Sequence, residues 1–149
     1  MAEENMGRIL CPTRGGEGSY RTQDAAIAMA KESGDELVFL YVVDLDFLNR
    51  TERAVRPDVV GQEMTRLGEF LLSMAQERAQ NQGIEARYVL REGDVQAEIK
   101  AAAVEEGATT VVLGQAAEDD PACTFAPENL LKFAQEIQTE TGIEARVVC

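Results

Sequence analysis

Strand-length apolar runs alternate with helix-length amphipathic segments along the whole of this chain, and that rhythm restricts the fold more than any single motif does. The clearest run, Glu36-Leu-Val-Phe-Leu-Tyr-Val-Val43, is continuously apolar after its first residue. Such a run suits a strand covered on both faces, and its expected place is the centre of a sheet. Arg8-Ile-Leu-Cys11 reads as a first short strand ended by Pro12, Ala86–Leu90 as a third, Thr109–Leu113 as a fourth and Ile143–Cys149 as a fifth.

The intervening segments carry helical periods. Ser19 is placed to cap a helix running to about Glu32, with Ala26, Ile27, Met29 and Ala30 on its packed side and Gly34 as its stop. A second helix starts near Asp58 and ends before Gly83; Val60, Met64, Leu67, Leu71, Met74 and Ala75 form its expected buried stripe. Asp94 caps a third, which runs through Val95, Ile99, Ala102 and Ala103 to Gly107. The fourth opens with Pro127 in its first turn, buries Leu130, Leu131, Ala134 and Ile137, and halts at Gly142. Asp44 to Pro57, polar and carrying Arg50, Arg53 and Arg56, reads as a loop over the sheet's edge. Five strands joined through four helices by short turns imply right-handed crossovers, an all-parallel sheet and a three-layer α/β/α sandwich. A length of 149 residues suits one domain spanning residues 1–149. Gly83-Ile-Glu-Ala-Arg87 recurs as Gly142-Ile-Glu-Ala-Arg146, but nothing around the two copies repeats, so they read as one helix-to-strand junction used twice.

Charge and composition remove several functions. The net charge of −13 argues against a nucleic-acid surface, which needs clustered Lys and Arg, and against anionic membrane faces. With no histidine, imidazole catalysis and imidazole metal ligation are excluded. Cys11, Cys123 and Cys149 are few and far apart, which suggests a reducing compartment and no disulfide framework. Met1-Ala-Glu-Glu-Asn-Met6 lacks the basic and apolar regions of a signal peptide, and no apolar stretch is long enough to span a bilayer. The expectation is a cytoplasmic protein.

Ligands of open parallel sheets bind beyond the carboxyl ends of the strands, where strand order reverses. Two loops compete for that role here. After the first strand, Gly15-Gly-Glu-Gly18 matches neither GxGxxG nor GxxxxGK[ST], and Glu17 would face an anion, so a simple tight turn accounts for it. Arg14 beside it is placed to hold a phosphate or carboxylate, or to form a surface ion pair. After the fourth strand, Gln115-Ala-Ala-Glu-Asp-Asp-Pro121 carries three consecutive carboxylates and no further glycine, a poor phosphate cradle. Glu118, Asp119 and Asp120 offer oxygens for Mg²⁺, but adjacent acids in a loop commonly only repel one another. A phosphoacceptor receiver domain shares the strand–helix rhythm, but it needs an acidic pair after the first strand and a phosphorylatable aspartate after the third, where this chain has Thr13-Arg14 and Arg91-Glu92. No nucleophile has a visible activating base. Cys11 ends a core strand and should be an inert buried thiol, and Cys149 is terminal and accessible.

The chain as a whole resembles the universal stress protein family. Arg8-Ile-Leu-Cys-Pro-Thr-Arg-Gly-Gly-Glu-Gly-Ser19 is similar to that family's opening KILVPTDGSEGS. Leu40-Tyr-Val-Val-Asp44 resembles its LHVVD, Arg91-Glu-Gly-Asp-Val-Gln-Ala-Glu-Ile99 its EGDPAEAI, and Thr110-Val-Val-Leu-Gly114 its strand ending in MG. The resemblance implies an adenine nucleotide alpha hydrolase-like sheet in the order 3-2-1-4-5, and often a homodimer. It also implies a nucleotide pocket whose equivalents here are Thr13, Arg14, Gly15, Val42, Gly114 and Gln115.

Many members hold ATP through G-x2-G-x9-G-[ST] after the fourth strand, while a second group lacks that motif. Only Gly114 matches it here; Ala117, Pro127 and Glu128 occupy the other three places, and the family's adenine-side aspartate is Arg14. Pro127 donates no N–H, and a like-charge pair at ~4 Å costs on the order of 1 kcal/mol in bulk water and about 4 kcal/mol at an effective dielectric of 20. The expectation is therefore a non-enzymatic, dimeric stress-response or regulatory protein with no cofactor. A nucleotide-binding member with a rebuilt phosphate site stands as the alternative, and a thiol-dependent regulator or small enzyme as a third. The final strand, Ala145, Arg146, Val147, Val148 and Cys149, is the expected dimer contact, pairing antiparallel with its copy.

Overall fold

The computed structural model describes residues 7–13, 17–44, 57–114 and 128–148. Its strands are β1 (Arg8–Pro12), β2 (Glu36–Asp44), β3 (Ala86–Gly93), β4 (Thr110–Gly114) and β5 (Glu144–Val148). Its helices are α1 (Glu17–Ser33), α2 (Pro57–Gln80), α3 (Val95–Glu105) and α4 (Glu128–Thr141). All pairings are parallel, and the strands lie in the order β3-β2-β1-β4-β5.

Period-two alternation divides the strand side chains between two cores. Ile9, Cys11, Leu37, Phe39 and Val112 pack against Ala26, Ile27 and Ala30 of α1 and Leu72, Ala75 and Ala79 of α2. On the other face Leu10, Val38, Leu40, Val111 and Leu113 pack against Ile99, Ala102 and Ala103 of α3 and Phe133, Ala134 and Ile137 of α4. The three-layer sandwich and its all-parallel sheet are thus as expected. β1 holds the central position, and β2, expected there, lies one place aside; both have a hydrogen-bonded neighbour on each side.

Several local expectations need correction. Helix α1 starts at Glu17, so Ser19 lies inside it and does not cap it. Strand β3 continues past Leu90 because Arg91, Glu92 and Gly93 still pair with Val42, Val43 and Asp44, and an edge strand tolerates polar side chains. Gly93 takes a φ of 146°, which favours glycine, and Asp94 then caps α3 by accepting from the Ala97 N–H at 3.0 Å. The stops at Gly34, Gly83, Gly107 and Gly142 hold, each with positive φ.

In α2 the buried stripe is Gly68, Leu72, Ala75 and Ala79, while Leu67 and Met74, expected inside, are 51% and 42% exposed. Gly68 explains the rotation. A Cβ there would come within 2.6 Å of the Tyr41 ring, so the helix axis lies close to β2 and small residues fill the contact. In α4, Leu131 is 47% exposed and Phe133 takes the core position expected of it, on the side shared with Leu130, Ala134 and Ile137. The loop expected between Asp44 and Pro57 lies outside the described residues. Both Gly-Ile-Glu-Ala-Arg copies lead into edge strands, β3 and β5, after a glycine with positive φ.

The amino ends of the central strands are held by an ionic network. Arg8 Nε and Nη2 both donate to Glu36 Oε2, at 2.8 and 2.5 Å, and Arg8 Nη1 donates to the Glu106 carbonyl. Arg87 adds contacts to Glu36 at 3.5 Å and to Glu106 at 3.1 Å. The Arg8 hydrogen bond, aided by both guanidinium charges, holds the Glu36 carboxyl below its ordinary 4.5. The unfolded chain therefore binds the proton more readily than the native state does. This contribution is complete above about pH 4.5 and is lost as pH falls through the lower native value. Glu36→Gln is expected to melt below the parent at pH 7, and the two melting curves should converge as pH is lowered to 3. A gap of constant size across that range would refute the assignment.

Candidate functional site

The chain leaves β1 toward β2 on one side of the sheet and later crosses to β4 on the other, so strand order reverses between β1 and β4. In such sheets the crevice beyond these carboxyl ends is the ligand position. Thr13 and Gly114 are the described residues at its floor. The Thr13 N–H donates to the Leu40 carbonyl at 2.8 Å, and its buried side-chain Oγ1 accepts from Gln23 Nε2 at 2.9 Å. Gly114 ends β4 directly against Thr22 of α1. A Cβ at Gly114 would lie 1.8 Å from Thr22 Oγ1 and 2.8 Å from Thr22 Cβ, so any side chain there must displace the helix. The glycine is needed for packing, independently of any phosphate.

The floor of the crevice is therefore tied to α1 by two buried polar side chains, Thr22 and Gln23. Sequence reasoning missed both. The signal was present: they lie four residues before Ala26 and Ile27 and continue the apolar stripe of α1 with polar residues. Buried polar groups need partners, and Gln23 finds one in Thr13. Val42, grouped with Thr13 by the resemblance, is half-buried and packs with the α3–α4 core, whereas Thr13 and Gly114 meet α1. Arg14, Gly15 and Gln115 lie outside the described residues, as do Glu118, Asp119, Asp120 and Pro127.

The side chains brought together here are uncharged hydrogen-bonding groups. Thr13, Thr22 and Gln23 can orient a polar partner, but none titrates near neutral pH, and none is a general base for the others. Below them Cys11 is fully buried, its Sγ 4.0 Å from the Thr22 carbonyl, and burial pushes the thiol up to about 12. A thiol held protonated and enclosed is a poor nucleophile. Among the described residues no group of three or more Cys, Asp and Glu could hold a metal ion, and no helix is long and apolar enough to cross a membrane.

Residues 6–122 match the family model described as the universal stress protein family. The chain belongs to the universal stress protein family. Solved structures agree at the level of the fold. A universal stress protein family structure from Burkholderia pseudomallei superposes with a TM-score of 0.71 at 22% identity, covering 95% of each chain. UspA from Lactobacillus plantarum gives 0.67 at 14% identity, covering 96% of this chain and 97% of its own. The universal stress protein from Archaeoglobus fulgidus in complex with dAMP gives 0.60 at 13% identity, covering 97% and 98%. No curated protein matches the chain significantly. The observed strand order and four flanking helices are those of the adenine nucleotide alpha hydrolase-like fold implied by the resemblance.

Two outcomes follow from this packing. Gly114→Ala should destabilise the protein by about 1–3 kcal/mol, the usual cost of overpacking. Adding Thr22→Ala should recover part of that loss, the remaining Cβ contact preventing full recovery. Strict additivity of the two changes in a denaturation cycle would show that they do not touch. Second, iodoacetamide at pH 8 should leave the Cys11 peptide unmodified in the folded protein and label it fully in denaturant, as read by peptide mass spectrometry. Rapid native labelling would contradict the enclosed thiol.

Proposed function

We propose that this universal stress protein is a non-enzymatic regulatory protein of the stress response, whose switch-point crevice does not hold ATP in the family's usual manner. The observation that carries the proposal is the engagement of both described floor residues by α1: Gln23 donates to the Thr13 hydroxyl, and Thr22 lies against one side of Gly114, which is otherwise exposed. The sequence beyond them points the same way. Arg14 stands where an adenine-side aspartate is usual, Pro127 lacks an N–H, and Glu118, Asp119 and Asp120 would oppose a triphosphate. The described floor side chains Thr13, Thr22 and Gln23 are uncharged, which favours a binding or signalling role over catalysis.

The working form we propose is a cytoplasmic homodimer formed through β5. That strand occupies a sheet edge. Ala145 and Val147 pack inward on the α3–α4 side and Val148 on the α1–α2 side, while Arg146 is exposed and paired with Glu144. An edge of this kind is satisfied by antiparallel pairing with its copy about a two-fold axis, with Cys149 at the end of the contact.

A second reading is favoured by one comparison: the Archaeoglobus fulgidus neighbour is in complex with dAMP, whose single phosphate makes a smaller demand on backbone N–H groups than a triphosphate does. In that reading Arg14 and the Gly15–Gly18 segment hold the phosphate; the turn expected there is shorter than the sequence suggested, because Glu17 and Gly18 already belong to α1. Thermal melts separate the two. Millimolar ATP with Mg²⁺, and dAMP alone, are both expected to leave the melting temperature unchanged. A rise with ATP would overturn the proposal. A rise with dAMP alone, abolished by Arg14→Ala, would replace it with the second reading.

A further inference from the structure

The two halves of α1 are held by different kinds of contact. From Ala26 onward the helix is anchored by apolar burial, with Ala26, Ile27 and Ala30 at most 3% exposed in the core shared with α2. In its first two turns, residues 17–24, the buried side chains among the described residues are both polar, Thr22 and Gln23. Gln23 donates one hydrogen bond to Thr13 at 2.9 Å, and Thr22 lies against Gly114. A hydrogen bond that water can replace stabilises less than burial of a large apolar side chain. Segments with few buried apolar contacts open locally before the rest of a fold does. The fastening of these two turns lies on the outside. Arg78, in the last turn of α2, donates from Nε and Nη2 to Asp24 at 2.7 and 2.9 Å, and its guanidinium lies 4.6 Å from the Tyr20 ring centroid. It thus grips two residues of the same two turns, and α2 is itself fixed by Leu72, Ala75 and Ala79. The Arg78 and Asp24 side chains are 38% and 55% exposed, so salt reaches the pair and screens it.

We propose that residues 17–24 form an autoinhibitory strap across the floor of the crevice, fastened by Arg78 and released when its ion pair with Asp24 is broken or screened. Release breaks the bond from Gln23 to Thr13 and withdraws Thr22 from Gly114. It also uncovers Cys11, which is fully buried with its Sγ 4.0 Å from the Thr22 carbonyl. The helix from Ala26 onward stays docked on its apolar contacts. The Thr13 hydroxyl and both sides of Gly114 then face a wider gap between β1 and β4. Access to the crevice is thereby set by a charged contact between α1 and α2 that lies outside the crevice itself. The strap rests on the reading of this crevice as the ligand position, but not on which ligand enters it.

Cys11 reports the strap without any ligand. Its slow alkylation by iodoacetamide at pH 8, followed by peptide mass spectrometry over an extended incubation, should run about fivefold faster in Arg78→Gln than in the parent, the factor that an exposed ion pair near the top of its usual range supplies. Asp24→Asn should accelerate it similarly, and combining the two should add little, because both break one pair. Molar NaCl should speed labelling of the parent. Ala103→Cys, introduced into each background in the core on the other side of the sheet, reports global unfolding and should not accelerate. Unchanged Cys11 labelling in Arg78→Gln, indifference of the parent to salt, or equal acceleration at position 103 would each overturn the proposal. No nucleotide enters this measurement, so the strap and the proposed function can fail separately.

Discussion

The contact between Gly114 and Thr22 sets β4 against α1 at the floor of the crevice where open parallel sheets usually hold a ligand. The order β3-β2-β1-β4-β5 requires the chain to depart from β1 in both directions, which leaves a gap between the ends of β1 and β4. In this protein α1 lies against the described floor of the gap, although Gly114 itself stays exposed. Thr22 rests on the glycine backbone, Gln23 binds the Thr13 hydroxyl, and Cys11 is sealed underneath. A glycine at the end of β4 is thus explained by helix packing alone.

The two ends of the sheet differ in chemistry. At the amino ends Arg8, Glu36, Arg87 and Glu106 form a continuous charged network that ties β1, β2 and β3 to the turn after α3. At the carboxyl ends of β1 and β4, the described floor contacts are between uncharged groups. Ion pairs on the partly exposed amino side are screened and individually modest, but they fix strand ends whose side chains water can reach. The buried hydroxyl–amide contact near the crevice instead orients α1 without placing charge where a ligand would meet it.

Much of the fold was legible because apolar runs and helix stops are local signals. Glu36–Val43, Asp94 and the glycines at 34, 83, 107 and 142 each carry their own physical reason. The failures arose where tertiary contacts decide between neighbouring positions. Leu67 and Met74 have the spacing of a buried stripe, but close approach of Gly68 to Tyr41 rotates α2 and turns them outward. Phe133 displaces Leu131 from the core in the same way. At the site, Gly114 was visible through the resemblance, whereas Thr22 and Gln23 were not, because a polar residue in an apolar stripe acquires meaning only once its partner is known.

The most direct test of the account is mass spectrometry of small molecules released when the protein, purified without added nucleotide, is denatured. A crevice floor engaged by α1 and flanked by the carboxylates of Glu118, Asp119 and Asp120 in sequence predicts no adenine nucleotide approaching one per chain. An adenine nucleotide released at close to one equivalent, and lost on Arg14→Ala, would show that the gap between β1 and β4 is a working pocket and contradict the account.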